Sequence, residues 1–395
     1  VSLPARSNWP AVAMALAAGG VAAMQVGKVP PALPLIRADL GVDLVTAGWV
    51  ASILNAVGAS LGALAGALAD ARRPRAAVLA GLWLLLAAGV GGALAPSGQV
   101  LLAARFCEGI GLLACVVGAP RLIVASTAVR DRGLAMGIWG AYMPAGMAVA
   151  MLLAAVVQPA GWRGLWWLHV ALVLAFLPAF AWFTRGTAPR PALSGIDWRG
   201  LGATLRRPGP WLLGLAFGVY SLQWFAMMTW LPTLLIDELH LAAQTAAMVA
   251  ALVVAANVLG NLASAWAMHR GAGRPWLIAA AYVAMATTAV GLYAPGLAVA
   301  AKLALAFAFS AFSGLLPAAV LAGTAAHAPG PGQVGTVSGM AVQGANLGNL
   351  LGPPAMAAVV AAAGWGAGYW VMLIGGAVGL GLAALLALAE RRLQQ

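Results

Sequence analysis

Long unbroken runs of Ala, Leu, Val and Gly fill almost the whole chain, and they constrain its fold more than any motif does. Only 8% of its 395 residues are charged, while 63% are hydrophobic and the mean hydropathy is +0.95. A soluble protein carries about 25% charged residues. A chain this poor in charge cannot cover a water-facing surface. Soluble enzymes, nucleic-acid-binding domains and disordered chains are therefore excluded. The runs lack the roughly 10-residue alternation of barrel strands, so the expected fold class is an all-α membrane protein. The 50 glycines and 23 prolines suit helices that approach one another closely in lipid.

A spanning helix takes roughly 20 residues. Hydropathy, with turn signals such as Ala95-Pro96-Ser97-Gly98 and Ala328-Pro329-Gly330, gives twelve expected spans. They cover about 9–36, 43–69, 76–95, 98–120, 133–157, 164–184, 210–236, 243–267, 276–294, 297–323, 336–362 and 367–389. With the N-terminus inside, sixteen of the 21 basic residues fall on inner segments, and only Arg37 and Arg163 fall on outer ones. The positive-inside rule then puts both termini in the cytoplasm, as expected for a multi-pass protein of a bacterial inner membrane. The stretch from Trp9 past Val29 is too long for a signal-peptide core and is expected to persist as the first span. Cys107 and Cys115, eight residues apart on one helix, lie about 12 Å apart, too far for a disulfide. They read as core residues.

The single long hydrophilic segment, about 185–209, carries five arginines and three prolines. It reads as a cytoplasmic linker between two six-helix bundles, 1–184 and 210–395. The bundles repeat at an offset near 198 residues. Leu33-Pro34 falls on Leu231-Pro232, Gly62 on Gly260 and Arg72 on Arg270. An offset of 197 sets Arg105 on Lys302, and one of 202 sets Gly146 on Gly348. Two parallel repeats around a midplane site are the architecture of a secondary transporter, in which the bundles rock to expose the site to each side in turn.

Local motifs point the same way. The segment Gly66-Ala67-Leu68-Ala69-Asp70-Ala71-Arg72-Arg73-Pro74-Arg75 resembles the loop 2–3 signature of the major facilitator superfamily. It departs from that signature at Ala71 and Arg73, where a basic residue and a glycine are usual. Arg105-Phe106-Cys107-Glu108-Gly109 resembles the family's helix 4 motif, with Glu108 where glutamine is more common. Gly140-Ala141-Tyr142-Met143-Pro144-Ala145-Gly146 partly matches the helix 5 motif. Gly137-Ile138-Trp139-Gly140 and Leu231-Pro232-Thr233 are similar, more weakly, to cyanate/nitroimidazole-type permeases. The resemblance implies twelve helices, and a cavity lined by helices 1, 4, 7 and 10. It also implies a cytoplasmic gating latch made by Asp70 with Arg72, Arg73 and Arg75, for which the alternative is a solvated turn.

A charge at mid-bilayer costs at least about 2.5–3.5 kcal/mol, so charges within spans face a cavity or find partners. The chain has two lysines, Lys28 and Lys302, and both fall within expected spans, as do Arg105 and Glu108. Lys28 either snorkels from the outer end of its helix or faces the cavity, and the match at Leu231-Pro232 favours the cavity. Glu108 lies three residues beyond Arg105 on the same face. Low dielectric favours the protonated form of a carboxylate, and a nearby guanidinium favours the ionised form. Moving Arg105 away and back would therefore load and release a proton at Glu108; the alternative is a permanent ion pair. Lys28, Arg105 and Lys302 outnumber the single acid and favour an anionic substrate. Tyr220, Gln223 and Trp224, with Phe309, are candidate pocket residues. His169 reads as packing. Neither a metal-ligand spacing nor a nucleotide loop appears, so no cofactor is expected. The expected partners are a small anionic solute, protons and the bilayer. The function expected is proton-coupled anion symport by a monomer, with export by antiport, or a non-transporting sensor on the same fold, as alternatives.

Overall fold

The computed structural model describes residues 6–61, 74–187 and 198–394, and these are almost wholly helical. The first bundle holds α1 (Trp9–Gly27), α2 (Val29–Leu40), α3 (Leu44–Ser52), α4 (Pro74–Ala93), α5 (Gly98–Ser126), α6 (Arg132–Trp139), α7 (Tyr142–Val157) and α8 (Gly161–Phe183). A short linker helix, α9 (Trp198–Leu205), leads to the second. That bundle holds α10 (Pro208–Asp237), α11 (Ala243–His269), α12 (Arg274–Tyr293), α13 (Val299–Ser313), α14 (Leu315–His327), α15 (Val334–Ala363) and α16 (Tyr369–Gln394).

Among the described residues, ten helical stretches are long and apolar enough to cross a membrane, and the bent α6–α7 pair makes an eleventh. The sequence led to an expectation of twelve. The difference is α15, which occupies the expected eleventh position with thirty residues. Its Gln343, Asn346, Asn349 and paired prolines dilute its apolar character. Helices also run past the expected limits. Asp39 lies near the end of α2 and Glu390 near the end of α16, so Glu108 is not the lone helical acid.

Four of the expected spans are interrupted: the second by a 3-10 turn at Ile53–Asn55 with no proline, and the other three each by proline. Pro144, Pro317 and the pair Pro30-Pro31 lack the N–H that a helix needs, and their rings clash with the carbonyl four residues back. Those carbonyls sit at Gly140, Ser313, Val26 and Gly27. The breaks fall at Gly140–Ala141, with a bend of 45°, at Gly314 and at Lys28.

Between helices, small residues set the spacing. Gly344, Gly348 and Gly352 of α15 lie against Gly214, Gly218 and Leu222 of α10, and a Cβ on Gly348 would come 2.0 Å from the Gly218 carbonyl oxygen. The two bundles meet along α2–α10, α3–α15 and α7–α11. Gly48 abuts the backbone of Pro353-Pro354 there, and Gln343 Nε2 donates to the Ala59 carbonyl at 2.8 Å.

Candidate functional site

The break at Lys28 positions the first cluster. Gly27 lets α1 touch the backbone of Met147 on α7, and the next residue, Lys28, turns into the first bundle rather than toward its end. Lys28, Arg105 and Glu108 are all 0% exposed. Lys28 Nζ donates to Glu108 Oε1 at 2.8 Å and to Gln25 Oε1 at 2.7 Å. Arg105 Nη1 donates to the other oxygen of Glu108 and, at 2.8 Å, to the Gln25 carbonyl. Arg105 Nε donates to the Val50 carbonyl at 3.1 Å. Four helices thus contribute to one buried charge cluster: α1, α3, α5 and α8. The last contributes Trp166, whose ring lies 4.5 Å from Lys28 Nζ.

Snorkelling is therefore not what Lys28 does. Two cations oppose one carboxylate in a water-poor interior. Arg105 Nη2 has no hydrogen-bond partner among the described residues, so the cluster retains an unused donor and excess positive charge. His169, read from sequence as packing, is 1% exposed and within electrostatic range of Lys28, Glu108 and Arg105. Its Nδ1 lies 2.8 Å from the Leu165 carbonyl and its Nε2 is unpartnered. Sequence reasoning missed Gln25, Trp166 and His169 as members. The available signal was Trp166-Trp167 beside a histidine in an otherwise apolar helix.

A second buried network occupies the other bundle. Asn257 Nδ2 donates to Tyr220 Oη at 3.0 Å, to Ser313 Oγ at 3.1 Å and to the Ser310 carbonyl at 3.3 Å. Trp224 Nε1 reaches Ser310 Oγ at 3.4 Å, and Phe309 is fully buried beside it in sequence. Gln223 Nε2 donates to the Met372 carbonyl at 2.6 Å, while its buried Oε1 is unpartnered. Tyr220 and Trp224 of α10 are thus joined to α11 and α13 through Asn257 and Ser310, whereas Gln223 turns to α16.

Lys302 joins neither cluster. It lies four residues beyond Ala298, the cap of α13, whereas Arg105 lies eight beyond Ser97, the cap of α5. Their equivalence in the repeat does not carry over to depth. Lys302 is half-buried and lines a cavity of about 450 Å³ at the end of the second bundle. Of the expected latch, Asp70, Arg72 and Arg73 lie outside the described residues. Arg75 ties α4 to the end of α8 through the Ala181 carbonyl at 2.8 Å and Thr184 Oγ1 at 3.1 Å. Cys107 and Cys115 are free thiols.

Known proteins share this architecture. The structure aligns with a bacterial homolog of the human lysosomal transporter Spinster, in an inward-facing and unoccupied conformation, with a TM-score of 0.75 at 16% identity, covering 98% of this chain and 97% of that one. The sequence is 28% identical over 279 residues to the 2-nitroimidazole transporter of Escherichia coli (strain K12), covering 63% of this chain and 68% of that protein. It is 26% identical over 258 residues to the probable sulfoacetate transporter SauU of Cupriavidus necator, covering 59% and 58%. The chain spans about four- to six-tenths of the length of the first curated relatives it matches. The profile of the Major Facilitator Superfamily matches residues 15–342. With that profile running through both bundles and the whole fold shared with a solved transporter, this chain belongs to the major facilitator superfamily of multi-pass membrane transporters.

Proposed function

We propose that this transporter moves a small organic anion by alternating access, in symport with protons, and that Lys28, Arg105 and Glu108 form its coupling element. One observation carries the reading: the buried carboxylate of Glu108 is shared by two cations, and one of them keeps a free donor, Arg105 Nη2. Protonating Glu108 releases both cations from it and leaves their charge to be met by an anion. Deprotonation recaptures them. Proton and anion are thereby favoured together, which is the thermodynamic requirement of symport.

Across the bundle interface, Tyr220, Gln223, Trp224 and Phe309 supply the neutral wall of the substrate site. In this reading the protein works as a monomer in a bacterial inner membrane with both termini cytoplasmic, and Asp70 with Arg72 and Arg73 forms the inner latch. The similarity to SauU agrees with an anionic cargo.

Proteoliposomes with an imposed pH gradient, inside alkaline, test the proposal. Labelled short-chain sulfonates or carboxylates should accumulate, and lipophilic cations should not. Movement of cations alone, or export of the anion against the proton gradient, would overturn it.

A further inference from the structure

The two bundles end in the same clasp on the side expected to face outward, and in the second bundle the clasp is incomplete. Ala160-Gly161-Trp162 recurs as Ala363-Gly364-Trp365. Gly161 and Gly364 both adopt left-handed backbone, at φ +68° and +76°, which only glycine enters at low cost. That turn aims each indole at a carboxylate. Trp162 Nε1 donates to Asp39 Oδ2 at 3.0 Å, and Trp365 Nε1 donates to Asp237 Oδ2 at 3.3 Å. Asp39 and Asp237 are 198 residues apart, the offset of the repeat. The adjoining loop repeats too, as Ala95-Pro96 and Ala294-Pro295.

The difference lies one residue after each tryptophan. In the first bundle Arg163 closes the clasp. Its guanidinium pairs with Asp39, donates to the Ala95 carbonyl at 2.9 Å and lies 4.3 Å over the Trp162 ring. In the second bundle that position is Gly366. Gly366, Trp365 and Ala294 instead line the cavity of about 450 Å³, together with Glu238 and Lys302. Small-molecule sites occupy roughly 300–1,000 Å³, so the cavity is of ligand size. Among the described residues, no ion pair within 4.0 Å joins Glu238 to Lys302. An acid and a base therefore line one aromatic-walled space without satisfying each other.

We infer that this cavity is a binding site for a small zwitterion. Its guanidinium or ammonium end takes the place that Arg163 takes in the first bundle, over Trp365 and beside the Ala294 carbonyl, with Asp237 as the counterpart of Asp39 and Glu238 lining the same space. Its carboxylate end meets Lys302. Both charges matter to the choice of ligand. A bare cation would leave Lys302 unopposed and close to it, and a bare anion would face Glu238 in the same way. A ligand carrying both signs pairs each with its opposite through charge-assisted hydrogen bonds and adds a cation–π contact. The site is separate from the buried Lys28–Glu108–Arg105 cluster, and the inference goes beyond the transport reading.

Calorimetric titration of the full chain in lipid nanodiscs tests this, with L-arginine as the ligand carrying both signs, butylguanidinium as the cation and pentanoate as the anion. L-Arginine should bind, and the two singly charged probes should bind at least about tenfold more weakly. Gly366→Arg installs the residue that closes the first clasp, and a Cβ there meets nothing within 4 Å. It should abolish L-arginine binding without lowering thermal stability. Glu238→Gln and Lys302→Gln should each weaken binding about tenfold, and Lys302→Gln should bring butylguanidinium level with L-arginine. Glu108→Gln should leave binding unchanged. The inference is overturned by wild-type protein that does not bind L-arginine, or by equal affinity for all three probes. Binding that survives Gly366→Arg but disappears in Glu108→Gln would also overturn it, by placing the zwitterion in the central site.

Discussion

Removing the carboxylate of Glu108 and removing the ammonium of Lys28 should have different costs, although the two groups share a hydrogen bond. Glu108 accepts from Lys28 at 2.8 Å and also from Arg105, and all three side chains are fully buried. Glu108→Gln leaves two cations without an anion, and breaking a buried pair in this way costs about 3–5 kcal/mol. Lys28→Met removes one of the two cations and leaves a charge-balanced Arg105–Glu108 pair. It also leaves Glu108 Oε1 and Gln25 Oε1 without their Lys28 donor, at about 1–3 kcal/mol, so the cost should stay below that of Glu108→Gln. The double variant restores the excess of one positive charge found in the wild type. It should therefore recover about 1–3 kcal/mol of the Glu108→Gln loss as coupling energy. Unfolding titrations in mixed micelles, followed by near-UV circular dichroism, measure all four corners of the cycle. If Lys28→Met costs as much as Glu108→Gln, or if the double variant is simply additive, the charge-sharing argument is wrong.

Three further outcomes follow from the structure. Gly348→Ala should destabilise by at least about 1–3 kcal/mol in the same titration, because its Cβ meets the Gly218 carbonyl at 2.0 Å; Gly137→Ala, with open space around it, should change little. Asn257→Ala removes the donor to Tyr220 Oη and the Ser310 carbonyl, while Ser313 Oγ keeps its own bond to that carbonyl; the cost should be about 1–3 kcal/mol, and binding of the transported anion should weaken. Asp43 caps α3 by accepting from the Thr46 amide at 2.6 Å, and that hydrogen bond holds its carboxyl below the usual carboxylate range. Because the folded value is the lower one, the capping contribution is complete above the ordinary aspartate value near ~3.9 and is lost as pH falls below it. Hydrogen exchange corrected for its intrinsic pH dependence should show protection at Thr46 constant from neutral pH to about pH 5 and falling below about pH 4. Asp43→Ala should show the reduced protection at every pH.

Much of the architecture was legible because lipid leaves few options. The absence of charge required helices, and the Pro/Gly turns set most span limits to within a few residues. The basic residues suggested an orientation. What the sequence hid was depth and direction. Arg105 and Lys302 align in the repeat, yet α5 and α13 begin at different points relative to them, so one is buried in a bundle and the other lines an end cavity. For Lys28 only the match at Leu231-Pro232 favoured the cavity over snorkelling, because the direction a side chain takes at a proline break depends on tertiary contacts such as Gly27 against Met147. Gln25, Trp166 and His169 join the charged cluster through packing between helices, which hydropathy does not encode. The paired Ala-Gly-Trp segments were visible in the sequence, but their meaning depends on carboxylates over a hundred residues away. Proline explains three of the four interrupted spans after the fact, and the turn at Ile53–Asn55 has none. Pro178 and Pro232 lie inside unbroken helices, so the residue alone does not announce a break.

The central claim is that Glu108 links the proton to the solute, and one comparison addresses it most directly. Wild-type and Glu108→Gln protein, reconstituted at equal density, are assayed for labelled-anion accumulation driven by a pH gradient and for counterflow exchange without one. The account predicts that the variant loses gradient-driven accumulation while keeping exchange, since binding and rocking survive but the proton no longer has a site. Accumulation in Glu108→Gln equal to the wild type would contradict it.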